Sequence, residues 1–165
     1  MIEPCTKPFV QSRKKTESKT MIREYTENDT DALITIWEKA NALAHPFLAA
    51  EFVAFVKDAM RSTYLPNAET WVLEVDGQPI GFIAMIGNEI GGLFLDPECH
   101  GRGQGRAMVD HIMNLKGPLQ VEVFKDNKVG RPFYERYGFE YVEEYLHEQS
   151  GAISVKMSMP GAVTA

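Results

Sequence analysis

The sequence of 165 residues has only two cysteines and no long apolar run. Cys5 and Cys99 lie far apart, which fits neither a disulfide framework nor a zinc site, so we expect a reducing compartment, the cytoplasm. No apolar stretch approaches the roughly 20 residues that span a bilayer, so we expect no membrane segment. His45, His111 and His147 are not spaced as metal ligands, and we therefore expect no metal.

Positive charge is scarce in most of the chain. The net charge is −6, but residues 1–20 carry five basic and two acidic side chains, whereas the remainder carries twelve basic and twenty-one acidic ones. An acidic body repels nucleic acid and favours a basic or amine-bearing acceptor, either a small molecule or a protein. The composition leaves both a monomer and a homodimer open.

The length is typical of one domain with its own core. Residues 1–20 combine basic side chains with Pro and Ser and lack an apolar period, so we predict a disordered basic extension there. We predict that residues 21–160 form the folded domain and that residues 161–165 form a flexible tail.

Apolar periodicity divides the folded part into strands and helices. Alternation predicts strands over 21–25, 70–75, 79–85, 89–95, 119–124, 139–147 and 152–159. The helical period predicts a helix that ends before Pro46 and a second helix over 49–61, with Leu43 and Phe55 on their apolar faces. Asp76-Gly77 is typical of a tight hairpin turn.

A glycine-rich loop follows the strand 89–95, with the sequence His100-Gly101-Arg102-Gly103-Gln104-Gly105. Alternate glycines let a backbone approach a ligand closely, and the amides that open a helix near Gly105 suit a phosphate. Arg102 and Arg106 add positive charge, and the helix carries Val109, Ile112, Met113 and Leu115. A loop of this composition can also be a flexible connector, but the strand before it and the amphipathic helix after it favour a phosphate-binding unit.

A second segment has a distinctive spacing, and its key residues are Asn127, Gly130, Phe133, Tyr134, Gly138 and Phe139. Together with the loop, it resembles the GNAT superfamily of acetyl-CoA-dependent N-acetyltransferases. The segment His45-Pro46-Phe47, after a first helix that contains Trp37, resembles in particular a group of small bacterial members that acetylate protein amines. The resemblance extends over roughly residues 21–159. Two positions depart from the family pattern: His100 replaces Gln or Arg, and Gly130 replaces Ala.

The resemblance implies a single α/β domain with a mixed, splayed central sheet, antiparallel N-terminal strands and flanking helices. It also implies transfer of an acetyl group from acetyl-CoA to a primary amine by direct attack in a ternary complex. The residues that it implies for cofactor binding are Leu93, Phe94, Leu95, His100, Gly101, Arg102, Gly103, Gln104, Gly105, Arg106, Asn127 and Phe133.

The resemblance also implies catalytic residues. Tyr134 is expected to be the general acid, and Glu89 the base that takes the amine proton through water. Simpler roles stay open, because Tyr134 could only pack in the core, Glu89 could be an exposed turn residue and Asn127 could cap the following helix. His45 and Phe47 are expected to contact the acceptor, although His45 could instead be structural.

Two alternatives compete with this interpretation. In a dinucleotide-binding domain, Gly103-Gln104-Gly105 would open the helix and Asp126 would bind a ribose, but Met108 stands where that motif needs Gly or Ala. The antiparallel strands before the loop also disagree with that fold. The other alternative is a non-catalytic acyl-CoA sensor, against which only Tyr134 and Glu89 argue.

Overall fold

The structure is a computed structural model that describes residues 18–162. Most of the predicted basic extension and the end of the predicted tail therefore lie outside the described residues. The first strand begins at Thr20, one residue before the predicted start of the domain. Thr20 pairs with Val75, and the Lys19 carbonyl accepts a 2.9 Å hydrogen bond from the amide of Asp76, so the ladder extends to the hairpin turn.

Seven strands and five helices form the described part of the chain. The strands are β1 Thr20–Glu24, β2 Glu69–Val75, β3 Gln78–Ile86, β4 Glu89–Leu95, β5 Gln120–Phe124, β6 Glu140–His147 and β7 Ala152–Ser158. The helices are α1 Thr30–Ala44, α2 Ala50–Ala59, α3 Leu65–Asn67, α4 Gln104–Lys116 and α5 Gly130–Tyr137. A π-helical turn over Met60–Tyr64 joins α2 to α3.

The strands form one sheet in the order β1-β2-β3-β4-β5-β7-β6. Every neighbouring pair is antiparallel except β4 and β5, which are parallel and are connected through α4. The predicted mixed sheet with antiparallel N-terminal strands is confirmed. A dinucleotide-binding domain would need a mostly parallel sheet, so this topology rules out that alternative.

The sheet splays open between its two central strands. β4 and β5 pair only at Glu89 with Gln120 and at Ile90 with Val121. Immediately afterwards β4 contains a bulge, because Met85 of β3 pairs with Ile90 whereas the preceding Ala84 pairs with Gly92. A bulge bends its strand, so β4 and β5 diverge beyond this point and a cleft opens between them.

Two cores cover the two faces of the sheet. On one face, α4 buries Met108, Val109 and Ile112 against the strands, and α5 buries Tyr134. On the other face, α1 buries Leu33 and Trp37 together with residues of β2 and β3. The cleft between β4 and β5 lies between these two helical layers, so residues from both can reach it.

Some predicted core positions are wrong. Leu43, Phe55, Met113 and Leu115 are exposed, whereas Met108 of α4 is fully buried. The apolar period identifies the buried stripe of a helix but not its edges, which depend on how far the sheet beneath extends.

Candidate functional site

Two cavities meet inside the cleft. The loop-side cavity has a volume of about 410 Å³ and lies among the end of β4, the glycine-rich loop and α5. The strand-side cavity has a volume of about 240 Å³ and lies among α1, α2, β4 and β5. The wall that the two cavities share contains Leu93, Phe94, Asn127, Gly130 and Tyr134. Two reactants that enter from opposite sides can therefore meet at this wall.

Two glycines of the loop have left-handed backbones. Gly101 has φ 78° and Gly103 has φ 75°, a region that residues with a Cβ rarely adopt. A Cβ built at either position would meet no atom within 4 Å, so the requirement for glycine is conformational rather than spatial. Gly103 is the N-cap of α4, and its conformation sets the direction in which that helix begins.

Gly105 is closely packed. A Cβ at this position would lie 3.3 Å from the Phe133 ring and 3.4 Å from a methyl group of Leu95. This close packing places the first turn of α4, whose backbone amides lack partners within the helix, beside the loop-side cavity. The side-chain oxygen of Gln104 is buried and has no hydrogen-bond partner within residues 18–162. The unpaired backbone amides at the positive end of α4 fit a phosphorylated group.

All but one of the predicted cofactor-binding residues line the loop-side cavity. The exception is Arg102, whose side chain is exposed. Nε2 of His100 donates a 3.2 Å hydrogen bond to the carbonyl of Leu95, so the residue that departs from the family pattern ties the loop to β4. The guanidinium of Arg106 lies 4.9 Å from the centre of the Tyr137 ring.

Further residues of this cavity were missed from the sequence. They include Val129 and Tyr137, and also Ala40 and Ala44 of α1. Val129 and Tyr137 stand four residues on either side of Phe133, so the helical period around the motif could have found them. The two alanines carry no chemical signal, and only the fold brings α1 to the cleft.

Tyr134 contributes to both cavities and is only 6% exposed. Its ring packs edge-on against Phe133 and Phe139, with centroids 5.2 Å apart in each case. Burial raises the pKa of the Tyr134 hydroxyl above its ordinary value, because the phenolate would lose hydration. The side chain therefore packs in the core and also holds a protonated hydroxyl at the shared wall.

Asn127 caps the helix that carries Tyr134. Its Oδ1 accepts hydrogen bonds from the amide of Val129 at 3.0 Å and from the amide of Gly130 at 2.7 Å. The capping role left open from the sequence is therefore present in the structure. The Nδ2 atom of the same side chain donates a 3.0 Å hydrogen bond to Nε2 of His45.

His45 is held as a neutral imidazole. Its Nδ1 donates a 2.7 Å hydrogen bond to Oδ1 of Asn41, and its Nε2 accepts from Asn127. Burial lowers the pKa of His45 to about 4, which agrees with this neutral tautomer. His45 lines the strand-side cavity, whereas Phe47 is 37% exposed and packs edge-on against His45 and Phe124 without belonging to that lining.

Two carboxylates lie on the sheet face opposite α4. Ile90 and Val121 are paired and buried in the core on the α4 side, so the adjacent Glu89 and Glu122 point to the other face. Glu122 lines the strand-side cavity, whereas Glu89 is not among its lining residues. Glu122 was missed from the sequence, because a charged residue within a strand gives no motif and only the register brings it beside Glu89.

The environment of these carboxylates favours protonation of one of them. The pKa of Glu89 is raised above its ordinary value, first by burial and then by the negative charge of Glu122, while Lys156 acts in the opposite direction. The hydroxyl of Tyr145 donates a 2.6 Å hydrogen bond to Glu122. A carboxylate with a raised pKa is better matched to proton transfer near neutral pH than an ordinary one.

Within residues 18–162, no group of three or more His, Cys, Asp or Glu side chains is arranged to hold a metal ion. In the same part of the chain, none of the helices is both long and apolar enough to cross a bilayer.

The sequence matches that of known acetyltransferases. The family described as "Acetyltransferase (GNAT) domain" matches residues 66–141. The peptidyl-lysine N-acetyltransferase YjaB of Escherichia coli is 34% identical over 119 residues, which cover 72% of this chain and 80% of YjaB. The peptidyl-lysine N-acetyltransferase YiaC of Escherichia coli is 29% identical over 141 residues, which cover 85% of this chain and 97% of YiaC.

Solved structures share the fold. The solution structure of the apo form of YjaB from Escherichia coli has a TM-score of 0.79 and 28% identity, and the alignment covers 87% of this chain and 99% of that one. The PaiA N-acetyltransferase of Thermoplasma acidophilum, crystallised with coenzyme A, has a TM-score of 0.69 and 21% identity over 86% of this chain and 98% of its own. The overall fold described above is thus shared with these proteins.

Proposed function

This chain belongs to the GNAT family of acetyltransferases and is an N-acetyltransferase that acts on an amine, and from this premise we propose that its acceptor is the lysine side chain of a protein. The observation that carries the proposal is the strand-side cavity, which leads to Tyr134 from the side opposite the glycine-rich loop. Two relatives named as peptidyl-lysine N-acetyltransferases support this choice of acceptor.

Acetyl-CoA fits the loop-side cavity. The amides at the start of α4 and the two left-handed glycines would hold its diphosphate, with Arg106 nearby. Beyond Ile90, the edge of β4 that faces β5 has no ladder partner among residues 18–162, so backbone groups of Leu93 and Phe94 are available to an amide-bearing arm. Bound acetyl-CoA supplies the thioester carbonyl that the amine attacks.

The strand-side cavity suits a lysine side chain. Phe52, Phe124 and His45 give it aromatic walls, which can pack against the methylene groups of lysine. Glu122 adds a carboxylate to the same lining, and a carboxylate attracts the ammonium group of an arriving lysine. The cavity thus combines an apolar passage with one negative charge.

The amine must lose a proton before it can attack. A lysine of pKa about 10.4 is almost fully protonated at pH 7, so a base is needed. We assign this role to Glu89, acting through water, with Glu122 keeping the pKa of Glu89 raised by its charge. Glu122 is the second candidate for the base, because it lines the cavity that would hold the amine.

The departing thiolate must gain a proton, and we assign its donation to the hydroxyl of Tyr134. The burial that raises the pKa of Tyr134 keeps the hydroxyl protonated, and the side chain faces both cavities. A backbone amide of the unpaired β4 edge could donate to the carbonyl oxygen during the attack. Glu89 passes the first proton of the ammonium group to solvent before the attack. The second proton, which is released when the attacking amine becomes an amide nitrogen, also leaves towards Glu89. As the C–S bond breaks, the sulfur receives the proton of Tyr134, and a proton from solvent then restores the phenol.

The acceptor can be tested with purified protein and acetyl-CoA. Three peptides of one sequence would be compared by mass spectrometry: one with a blocked N-terminus and a free lysine, one with a free N-terminus and a blocked lysine, and one with both amines blocked. We expect acetylation of the first peptide, much less of the second and none of the third. Acetylation of only the second peptide would contradict the lysine proposal.

A further inference from the structure

A third cavity opens beside the strand-side cavity. It has a volume of about 410 Å³ and lies between the face of β3 and β4 and the helical layer that contains the π turn Met60–Tyr64. We call it the apolar cavity. Trp37, Val56, Gly91, Gly92 and Phe94 line both it and the strand-side cavity, so the two are adjacent.

The bulge in β4 lies at the boundary of these two cavities. Gly91 and Gly92 line both of them, and neither adds a side chain to the boundary. A Cβ at Gly92 would lie 2.8 Å from the ring of Phe94, so glycine also lets that ring lie over the strand. The boundary between the two cavities is therefore thin at the point where β4 leaves β5, because two residues without side chains form part of it.

The walls of this cavity are uncharged. Among the described residues that line it, none is Asp, Glu, Lys, Arg or His, and Trp37, Phe82, Phe94 and Tyr64 contribute aromatic rings. The polar side chain of Asn67 is already used, since its Nδ2 donates a 2.7 Å hydrogen bond to the carbonyl of Thr63. The cavity therefore suits an apolar group and gives little to a charged one.

The outer end of the cavity reaches the surface. Tyr64 and Ile86 both line it and are 46% and 67% exposed. Protein interiors rarely leave apolar space of this size unfilled, and a volume of this order is typical of small-ligand sites. A π turn inside a helix is also frequent at functional sites. An extended chain could lie across this mouth with one side chain in the cavity and its neighbour in the strand-side cavity.

We propose that the apolar cavity receives a large apolar side chain next to the acceptor lysine, so that the enzyme selects lysines with an aromatic or large aliphatic neighbour. This inference rests on the proposed function, because it takes the strand-side cavity as the lysine site. The two cavities are adjacent at Gly91 and Gly92, so a residue next to the lysine would lie beside the apolar cavity when the amine occupies the strand-side cavity.

The experiment uses N-terminally blocked peptides that differ only beside a single lysine, with Phe or Ser placed either before or after it. We expect the kcat/KM of the full-length protein to be at least about 10-fold higher for one of the Phe peptides than for its Ser counterpart, a typical effect of burying a group in an apolar pocket. Equal values at both positions would overturn the inference and leave lysine acetylation intact. Acetylation of none of the peptides would overturn both proposals.

Two variants test whether the preference for Phe depends on the apolar cavity. Ala84 lines the apolar cavity but not the strand-side cavity, so Ala84→Leu should fill it and reduce the Phe preference to about 3-fold or less, with kcat/KM for the Ser peptide unchanged. Tyr64→Ala removes an exposed part of the wall and should also reduce the preference. Ala54→Leu, on the exposed side of α2, is the matched control and should keep it. An unchanged preference in both cavity variants would overturn the assignment to this cavity.

Discussion

The side-chain amide of Asn127 donates a 3.0 Å hydrogen bond to Nε2 of His45, a residue 82 positions earlier in the chain. Because Asn127 also caps α5, this bond connects the segment after α1 to the helix that carries Tyr134. The wall between the two cavities is thus a hydrogen-bonded unit rather than a loose contact of separate elements.

Replacing His45 should destabilise the protein. In His45→Phe, the amide of Asn127 loses its acceptor in a buried setting, which costs about 1–3 kcal/mol. We expect a lower free energy of unfolding in urea and a lower kcat for lysine peptides. Phe47→Leu is the control. It replaces the exposed ring next to His45 and should change the free energy of unfolding much less. Equal stabilities of His45→Phe and the parent protein would contradict the coupling.

The effect of His45→Phe on the free energy of unfolding should depend on pH. The pKa of His45 is about 4 in the folded state, against an ordinary value of 6.5. Below pH 6.5, His45 is therefore protonated in the unfolded chain but stays neutral in the folded protein. Its contribution lowers the free energy of unfolding as the pH falls from 6.5 towards 4. The difference in free energy of unfolding between the parent protein and His45→Phe should accordingly shrink between pH 7 and pH 5. A difference that stays constant would contradict the low pKa.

Gly130 should be necessary for the position of the Asn127 amide. A Cβ at Gly130 would lie 2.7 Å from Nδ2 of Asn127, so Gly130→Ala should displace that amide from His45. We expect a reduced kcat in this variant even though alanine favours helices by about 1 kcal/mol over glycine. In a double-mutant cycle, Gly130→Ala should cost little more in the His45→Phe background. If the kcat losses of Gly130→Ala and His45→Phe were fully additive, the two residues would act independently.

Tyr134→Phe tests the general acid. The ring contacts with Phe133 and Phe139 remain, so the fold and the affinity for acetyl-CoA should hold. The kcat should fall by roughly 10²-fold or more and should not recover at alkaline pH, because no proton donor replaces the phenol. Steady-state kinetics together with calorimetry would separate these effects. A variant with full activity would mean that the thiolate is protonated by another group or by water.

Replacing Glu122 or Glu89 should shift the pH profile of kcat/KM in opposite directions. Glu122→Gln removes a negative charge that raises the pKa of Glu89, so the acidic limb of the kcat/KM profile should move to lower pH. Glu89→Gln should instead shift activity towards alkaline pH, where the amine is already neutral. If the Glu122 variant alone shows the alkaline shift, Glu122 is the base.

The sequence was sufficient to predict the elements near the motifs. The strand 89–95, the helix after the glycine loop and the hairpin at Asp76-Gly77 all depend on local patterns, and the structure has each of them. Membership of an acetyltransferase family also favours the enzyme over the non-catalytic sensor. These features could be recognised because their signals lie within a few consecutive residues.

Other features of the site depend on contacts between distant residues. The pairing of His45 with Asn127 joins two segments that are each ordinary in sequence. The position of Glu122 beside Glu89 follows from the β4–β5 register, and the bulge at Gly91 follows from the β3–β4 register. Neither register can be recognised within one strand, because each depends on side-chain contacts with the partner strand.

The central claim is that acetyl-CoA and a lysine meet at Tyr134 from opposite cavities, and one binding measurement tests it directly. The ligand is a peptide whose lysine Nε is joined through a two-carbon acetyl bridge to the sulfur of coenzyme A. By calorimetry, we predict that it binds at least about 10²-fold more tightly than coenzyme A or the acetylated peptide alone, because linked parts occupy both cavities at once. Gly103→Val, which strains a backbone with φ 75°, should weaken binding of the linked ligand and of coenzyme A alike. An affinity no greater than that of coenzyme A alone would contradict the account.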